Sequence, residues 1–301
     1  MVACDPAGDA MQRVVVALSL LIGCADPGPS APPPGATCSD GGSDERVLVA
    51  RSLRFGREEP EGVSPGFDLD GDVTSAGAAS GCGVADLTGP DGAQGIDNAL
   101  ASVLPVLELT EAGVLEPLIQ DSINNGALLM MASLGMLSRS ALEHGDDCVD
   151  VSVFKGVGQP MIGSDGHILP NQTLRVDPAS SGNEDPEATL ADGYLDAGPI
   201  DLVALPIQVL DLNDTLELFD VRLGLQAQGD GTWSGLLSGG LEVQQLIDTA
   251  SLQNVDPVVV ELVGPVLQRL ADLAPDASGV CHQISAVFEV EMVPAFVYDG
   301  Q

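Results

Sequence analysis

Apolar and polar residues alternate in long stretches of this chain. The final stretch is the cleanest: over His282–Tyr298, Ile284, Ala286, Phe288, Val290 and Met292 fall on one parity, which predicts a long strand with one buried face. Leu202–Leu210, Thr215–Gln228 and Thr232–Val243 read as three consecutive strands. Asp230-Gly231 joins the last two, and both residue types tolerate the positive φ of a tight hairpin. Leu216, Leu218, Val221, Leu223 and Leu225 supply an apolar face whose parity switches near Phe219, the mark of a bulge. Arg46–Gly56, Ala127–Leu137, Cys148–Gly156 and Gln172–Val176 are further strand candidates.

Helical patterns are fewer and broken by proline. Asp97 and Thr110 are placed to cap two apolar helices that Pro105 and Pro117 shorten or kink. Gln244–Ala250 reads as a short helix. Pro257–Leu273 starts with Asp256 as cap and Pro257 in the first turn, and Gly264-Pro265 interrupts it. Residues 57–95, rich in Gly and Asp, read as a long loop region. Together the elements predict an α+β fold: an antiparallel sheet or sandwich with apolar helices packed on it.

The N-terminal region has another character. Val14 to Gly23 is an uncharged apolar run after Arg13, far shorter than the ~20 residues of a spanning helix. It fits the h-region of an export signal, with Met11 as the start that gives the signal a basic N-terminus. The run ends in Leu21-Ile22-Gly23-Cys24, which resembles the lipobox of bacterial lipoproteins. The resemblance implies cleavage before Cys24, lipidation of its sulfur and acylation of the new amine. It implies a protein held to the cell envelope through its lipid, at the outer membrane where one exists, because Ala25 rather than aspartate follows the cysteine. Several acyl chains hold a membrane firmly, whereas one holds weakly. Loop features such as Gly95-Ile96-Asp97-Asn98 also look like those of envelope lipoproteins of no assigned activity, a likeness that gives no residue a role. The expected organisation is a signal over 1–23, a Pro/Gly-rich linker over 24–45 and one extracytoplasmic domain over 46–301.

The formal net charge is −35, with ten basic residues against 45 acidic ones. Such a surface disfavours nucleic acid, whose phosphates must be neutralised by Lys and Arg. It favours cations. Six cysteines are present: Cys4 precedes the expected start, and Cys24 is assigned to lipid. Cys38, Cys82, Cys148 and Cys281 remain, an even number for an oxidising compartment, where disulfides are expected. Of the three possible pairings, Cys38–Cys82 with Cys148–Cys281 is the one expected here.

Asp68-Leu69-Asp70-Gly71-Asp72 carries the sharpest chemical signal. Alternate aspartates gather carboxylate oxygens, and calcium takes six to eight oxygens at about 2.3–2.6 Å. The match to an EF-hand loop fails at Val73, where glycine is needed, and at Ala79, where glutamate is needed. Asp68, Asp70 and Asp72 are therefore the candidate ligands of a different calcium loop, which Asp86, Asp91, Asp97 or Asn98 could complete.

Catalysis has little to stand on. His144, His167 and His282 sit in turn-like or strand-end contexts, and no GxSxG, HExxH or P-loop pattern occurs. The first functional expectation is a membrane-anchored envelope protein with a non-enzymatic binding or structural role, stabilised by calcium. The alternatives are an anchored hydrolase working with carboxylates and a carrier of lipid or another hydrophobic ligand.

Overall fold

The computed structural model describes residues 44–78, 81–107, 115–137, 142, 145–180, 183–209, 212–252 and 257–298. The expected signal, nearly all of the linker, Cys24, Cys38, Thr110 and His144 lie outside them. Among the described residues there are twelve strands: β1 Asp44–Phe55, β2 Leu87–Thr88, β3 Gln94–Ile96, β4 Met130–Leu137, β5 Asp146–Val157, β6 Gln172–Val176, β7 Asn183–Ala191, β8 Tyr194–Val209, β9 Leu212–Ala227, β10 Trp233–Glu242, β11 Leu273–Pro275 and β12 Cys281–Tyr298. The α-helices are α1 Leu104–Leu107, α2 Leu115–Asn125, α3 Val243–Leu252 and α4 Pro257–Leu270. Short 3-10 turns occupy Gly81–Gly83 and Ala99–Ser102.

The strands do not form an open sheet or a sandwich. β1 pairs with β12, and the antiparallel ring β1-β4-β5-β7-β8-β9-β10-β12 closes into an eight-stranded barrel. This corrects the α+β expectation. The pattern of single strands carries no record of a pairing between the first and last of them, and that pairing removes the sheet edges a sandwich would keep. Among the described residues the helices are few beside the strands, and the sheet is closed on itself rather than covered by a helical layer. β6 and β11 add to the barrel sheet, while β2 and β3 make a separate two-stranded one.

Opposed residues in an antiparallel ladder share a face. Ala197, Leu223, Leu237, Phe288 and Phe55 therefore form one inward row across five strands. Leu195, Leu225, Gly235, Val290 and Leu53 form the next. Leu195, Ala197, Leu223, Leu225 and Leu237 have no accessible surface at all, so no water-sized space touches them: this part of the lumen is packed. The outward positions between them carry charge, with Asp196 paired to Arg222 and Glu289 to Arg54. A lipid-facing barrel wall has the opposite arrangement, apolar outside and polar within. Among the described residues no helix is long and apolar enough to cross a membrane.

The bulge expected near Phe219 is present. Ser238 faces Arg222 and Gly240 faces Phe219, so β9 carries one extra residue there, with Asp220 at φ 49°. β1 shifts register in the same way between Ala50 and Ser52.

β6 folds back to pair with both β5 and β12, so β1, β4, β5, β6 and β12 close a second, smaller ring. Val49, Met131 and Val293 turn from the main lumen into this second core and are fully buried. Both faces of β4 are thereby covered, which is why Leu128 to Ala132 reads as an unbroken apolar run rather than an alternation. α2 touches β1 and also β8, which stand on opposite sides of the main ring, so the helix crosses the barrel end. Its Glu116 accepts from the Phe55 amide at 3.1 Å, and its Gln120 donates to the Arg51 carbonyl at 2.9 Å. These side chains satisfy backbone groups of β1 beyond the reach of β4.

Candidate functional site: an acidic loop fastened to the barrel wall

The segment from Gly56 to Ala99 lies on the outside of β12. The Gly56 amide donates to the Val287 carbonyl at 2.7 Å at one end, and the Ala99 amide donates to Ser285 Oγ at 2.7 Å at the other. Buried Asn98 holds the two ends together, donating to the Gly56 carbonyl and to Ser64 Oγ. In the middle, Phe67 lies 5.0 Å from the Arg222 guanidinium. A side chain at position 224 would strike both Phe67 and Tyr194, so Gly224 gives the flat patch of wall on which these rings rest.

Phe67 sets down the aspartate run that follows it. The Asp97 amide donates to the Phe67 carbonyl at 2.9 Å, and Asp97 Oδ2 accepts from the Leu69 amide at 2.6 Å. Asp97 is thus bound into the loop instead of capping a helix; the 3-10 turn after it begins at Asn98, which makes no side-chain cap bond. Gly95 must be glycine here. Its φ is +81°, and a Cβ would lie 3.1 Å from the Asp72 carbonyl oxygen and 3.3 Å from Asp68 Oδ2.

Carboxylate oxygens of Asp68, Asp70 and Asp97 lie within 4.8 Å of one another. The structure therefore brings together two of the three expected ligands, Asp68 and Asp70, with Asp97 from β3's far end. Asp72 falls outside this group, and its amide instead donates to Asp70 Oδ1 at 2.9 Å. Asp91 turns back on its own loop and accepts from the Ala93 amide. Three carboxylate oxygens so close together suit a hard divalent cation that prefers oxygen ligands.

The electrostatics centre on Asp70. Burial pushes the Asp97 carboxyl up to about 7, helped by the charges of Asp272, Asp70 and Asp86 and opposed by the Leu69 amide. Burial is also the main cause of the upward shift at Asp86, with Asp70, Asp68 and Asp72 adding to it. Asp272 is pushed up to about 6, again chiefly by burial, against the hydrogen bonds of Ser285 and with Asp70 adding its repulsion. Its Oδ1 accepts from the Ser285 amide at 2.7 Å and its Oδ2 from the Ser285 hydroxyl at 2.5 Å. Asp272 and Ser285 form the fastening that receives Ala99, a role with no sequence signal: Asp272 reads as a polar residue inside the expected helix Pro257–Leu273, which ends at Leu270 instead.

A disulfide joins Cys82 to Cys281, with Cα atoms 6.0 Å apart, and ties the same segment to the start of β12. Both expected pairings are thereby corrected. Each had assigned one of these two cysteines elsewhere, and nothing in their spacing shows that the loop folds back over the first residue of the last strand. Cys148 is also disulfide-bonded, and its partner lies outside the described residues.

Neither described histidine, His167 or His282, joins the acidic group. His282 sits 3.4 Å from Asp276 in an exposed turn, and the His167 amide is held by Asp165. Compared with family models, curated proteins and solved structures, the chain matches none.

Proposed function

We propose that the chain is a membrane-tethered envelope lipoprotein whose barrel serves a non-enzymatic binding or structural role, with a calcium-stabilised loop on its wall. The packed apolar lumen carries this reading. Residues such as Leu223 and Leu237, which meet across β9 and β10, have no accessible surface, so that part of the barrel offers no chamber for a lipid or a substrate. A barrel packed over this part of its lumen is a rigid platform, and rigidity suits a protein that presents its outer surface to partners. The carboxylates that converge do so on the outer wall around a point suited to a cation, and neither His167 nor His282 stands beside them to share acid–base work. The tether reading rests on Arg13, the short apolar run and Leu21-Ile22-Gly23-Cys24. On this reading Asp68, Asp70 and Asp97 hold calcium, and the cation relieves the repulsion that Asp70 exerts on its neighbours.

Expression in a bacterium fed labelled fatty acid tests the tether. The wild type should carry label and sediment with membranes, and Cys24→Ser should abolish both. An unlabelled, freely soluble wild type would refute the tether, and label retained by Cys24→Ser would place it on another residue.

A further inference from the structure

The barrel wall is split between β7 and β8. β7 pairs with β8 only where Thr189 to Ala191 face Asp196 to Tyr194. Beyond that point it follows β5, down to Asn183 opposite Val153. Two side chains span the widening gap: Asp185 accepts from the Gly198 amide at 2.6 Å, and Asn183 donates to the Leu202 carbonyl. A recess of about 220 Å³ opens there. Its floor is Met130, Val153 and Val203, which retain 3–4% of their surface where the packed lumen residues retain none.

Lys155 stands at the rim. It is the chain's only lysine, and it faces Met130 across the β4–β5 ladder, on the inward side of the wall. A turn over Asp177 to Ser180 is strapped to it. The Asp177 amide donates to the Lys155 carbonyl at 2.8 Å, and the Lys155 amide donates to Ser180 Oγ at 2.9 Å. Asp177 Oδ2 lies 3.3 Å from Lys155 Nζ. An ammonium has three protons to donate, and Asp177 is its one ion-pair partner among the described residues. Among the described residues the Ser180 hydroxyl, whose oxygen accepts from Lys155, donates to no partner, and its proton is available to a ligand.

The geometry points to a binding site for a small aliphatic monocarboxylate, with its head on Lys155 and Ser180 and its tail on Met130, Val153 and Val203. The volume is below the ~300–1,000 Å³ of sites for drug-sized ligands, which limits the tail to a short chain. The chain's net charge of −35 does not forbid an anion here. At physiological salt, charges beyond about 8 Å are largely screened; within that range Asp177 balances Lys155, and the carboxylate head is held by hydrogen bonds from the remaining ammonium protons and Ser180. The proposal stands apart from both the tether and the calcium loop.

The single lysine supplies the probe. Full-length protein labelled with ¹³C,¹⁵N-lysine gives one lysine spin system, that of Lys155, which can be followed while hexanoate, acetate or hexan-1-ol is added at constant pH and ionic strength. Hexanoate should shift the signals saturably. Acetate, lacking four methylenes, should bind at least about tenfold more weakly, and hexan-1-ol, lacking the charge, should also be weaker. Val203→Phe, which fills the floor, should remove saturation. Ser180→Ala, a change in a surface turn, should weaken hexanoate several-fold if Val203→Phe fails to fold. Equal responses to hexanoate and acetate would overturn the site. So would equal affinity for hexan-1-ol, or unchanged hexanoate binding by the Ser180→Ala protein.

Discussion

Phe55 and Phe288 face one another across the seam where the first strand meets the last, their ring centroids 5.2 Å apart and tilted by 36°. Phe288 is almost wholly buried and shares an inward row with Leu237. A tilted aromatic pair adds about 0.5–1.5 kcal/mol beyond the area it buries. The pair thus lies where closure of the barrel costs the most chain entropy. Phe288→Ala should lower unfolding stability by about 3–5 kcal/mol, as for other buried aromatic truncations. Phe288→Leu should lose less than half of that. Urea denaturation of both variants measures the difference, and equal small losses would mean that the seam is not packed as described.

Much of the chain's local structure is legible in its sequence, and its closure is not. The Asp230-Gly231 hairpin is found as read: the Gln228 amide donates to the Thr232 carbonyl, and Gly231 has a φ of +87°. β12 and β1 also fall within a residue or two of their expected limits. β7 is not legible because Asn183–Ala191 carries Pro186 and four acidic or amide side chains in its first five residues, while Ala188 and Leu190 are buried in the core. The acidic run is legible as alternate aspartates. That Asp97 joins it and Asp72 does not depends on Phe67 docking against Arg222, a contact between residues far apart in the chain. The disulfide pairing was hidden for the same reason, since it records where a long loop returns.

The Cys82–Cys281 bond closes a loop of 199 residues of sequence separation. Removal of a native disulfide costs about 2–5 kcal/mol. Cys82→Ser combined with Cys281→Ser should lower the melting temperature by several degrees, and protease should then cut first within residues 57–95, which lose one fastening to the barrel. Mass spectrometry of an unreduced digest should yield the Cys82 peptide linked to that of Cys281. A Cys38–Cys82 or Cys148–Cys281 linkage would contradict the structure.

The pH dependence should have an unusual sign near neutrality. Asp97 and Asp272 titrate at about 7 and about 6 in the folded chain, above the ~4 of an unfolded aspartate. The native state therefore binds more protons between these limits. The stability that protonation of these groups contributes is complete below about pH 4 and is lost as pH rises through 6 to 7. Asp276, Asp165, Asp177 and Asp230 have the opposite sign. Hydrogen bonds hold their carboxyls below the usual range, so their contribution is present above about pH 4 and lost on further acidification. Urea midpoints in buffer free of divalent ions should therefore peak at about pH 4–5 and decline toward pH 7.5. Asp272→Asn should flatten that decline. A midpoint that climbs steadily from pH 5 to 7.5 would rule out the raised pair.

Calcium should act on the same loop and distinguish Asp97 from Asp72. A cation shared by Asp68, Asp70 and Asp97 replaces the repulsion among them with attraction, and folding then couples to binding. At 100 times its dissociation constant a ligand stabilises by about 2.7 kcal/mol. Millimolar calcium should thus raise the melting temperature of the wild type, and Asp70→Asn or Asp97→Asn should remove most of that rise. The Asp97→Asn variant keeps an oxygen to accept from the Leu69 amide, so its loop should stay in place. Asp72→Asn should retain most of the calcium response, because its carboxylate lies outside the group of three. Magnesium should stabilise less, since it demands a tight octahedral shell and gives up its waters reluctantly. All comparisons need matched ionic strength, because general screening stabilises any protein of charge −35. If Asp72→Asn removes the response and Asp97→Asn keeps it, the ligands are those of the linear run and the cation does not bridge the loop to β3. If all variants respond like the wild type, and to both ions equally, the carboxylates form only a solvated turn.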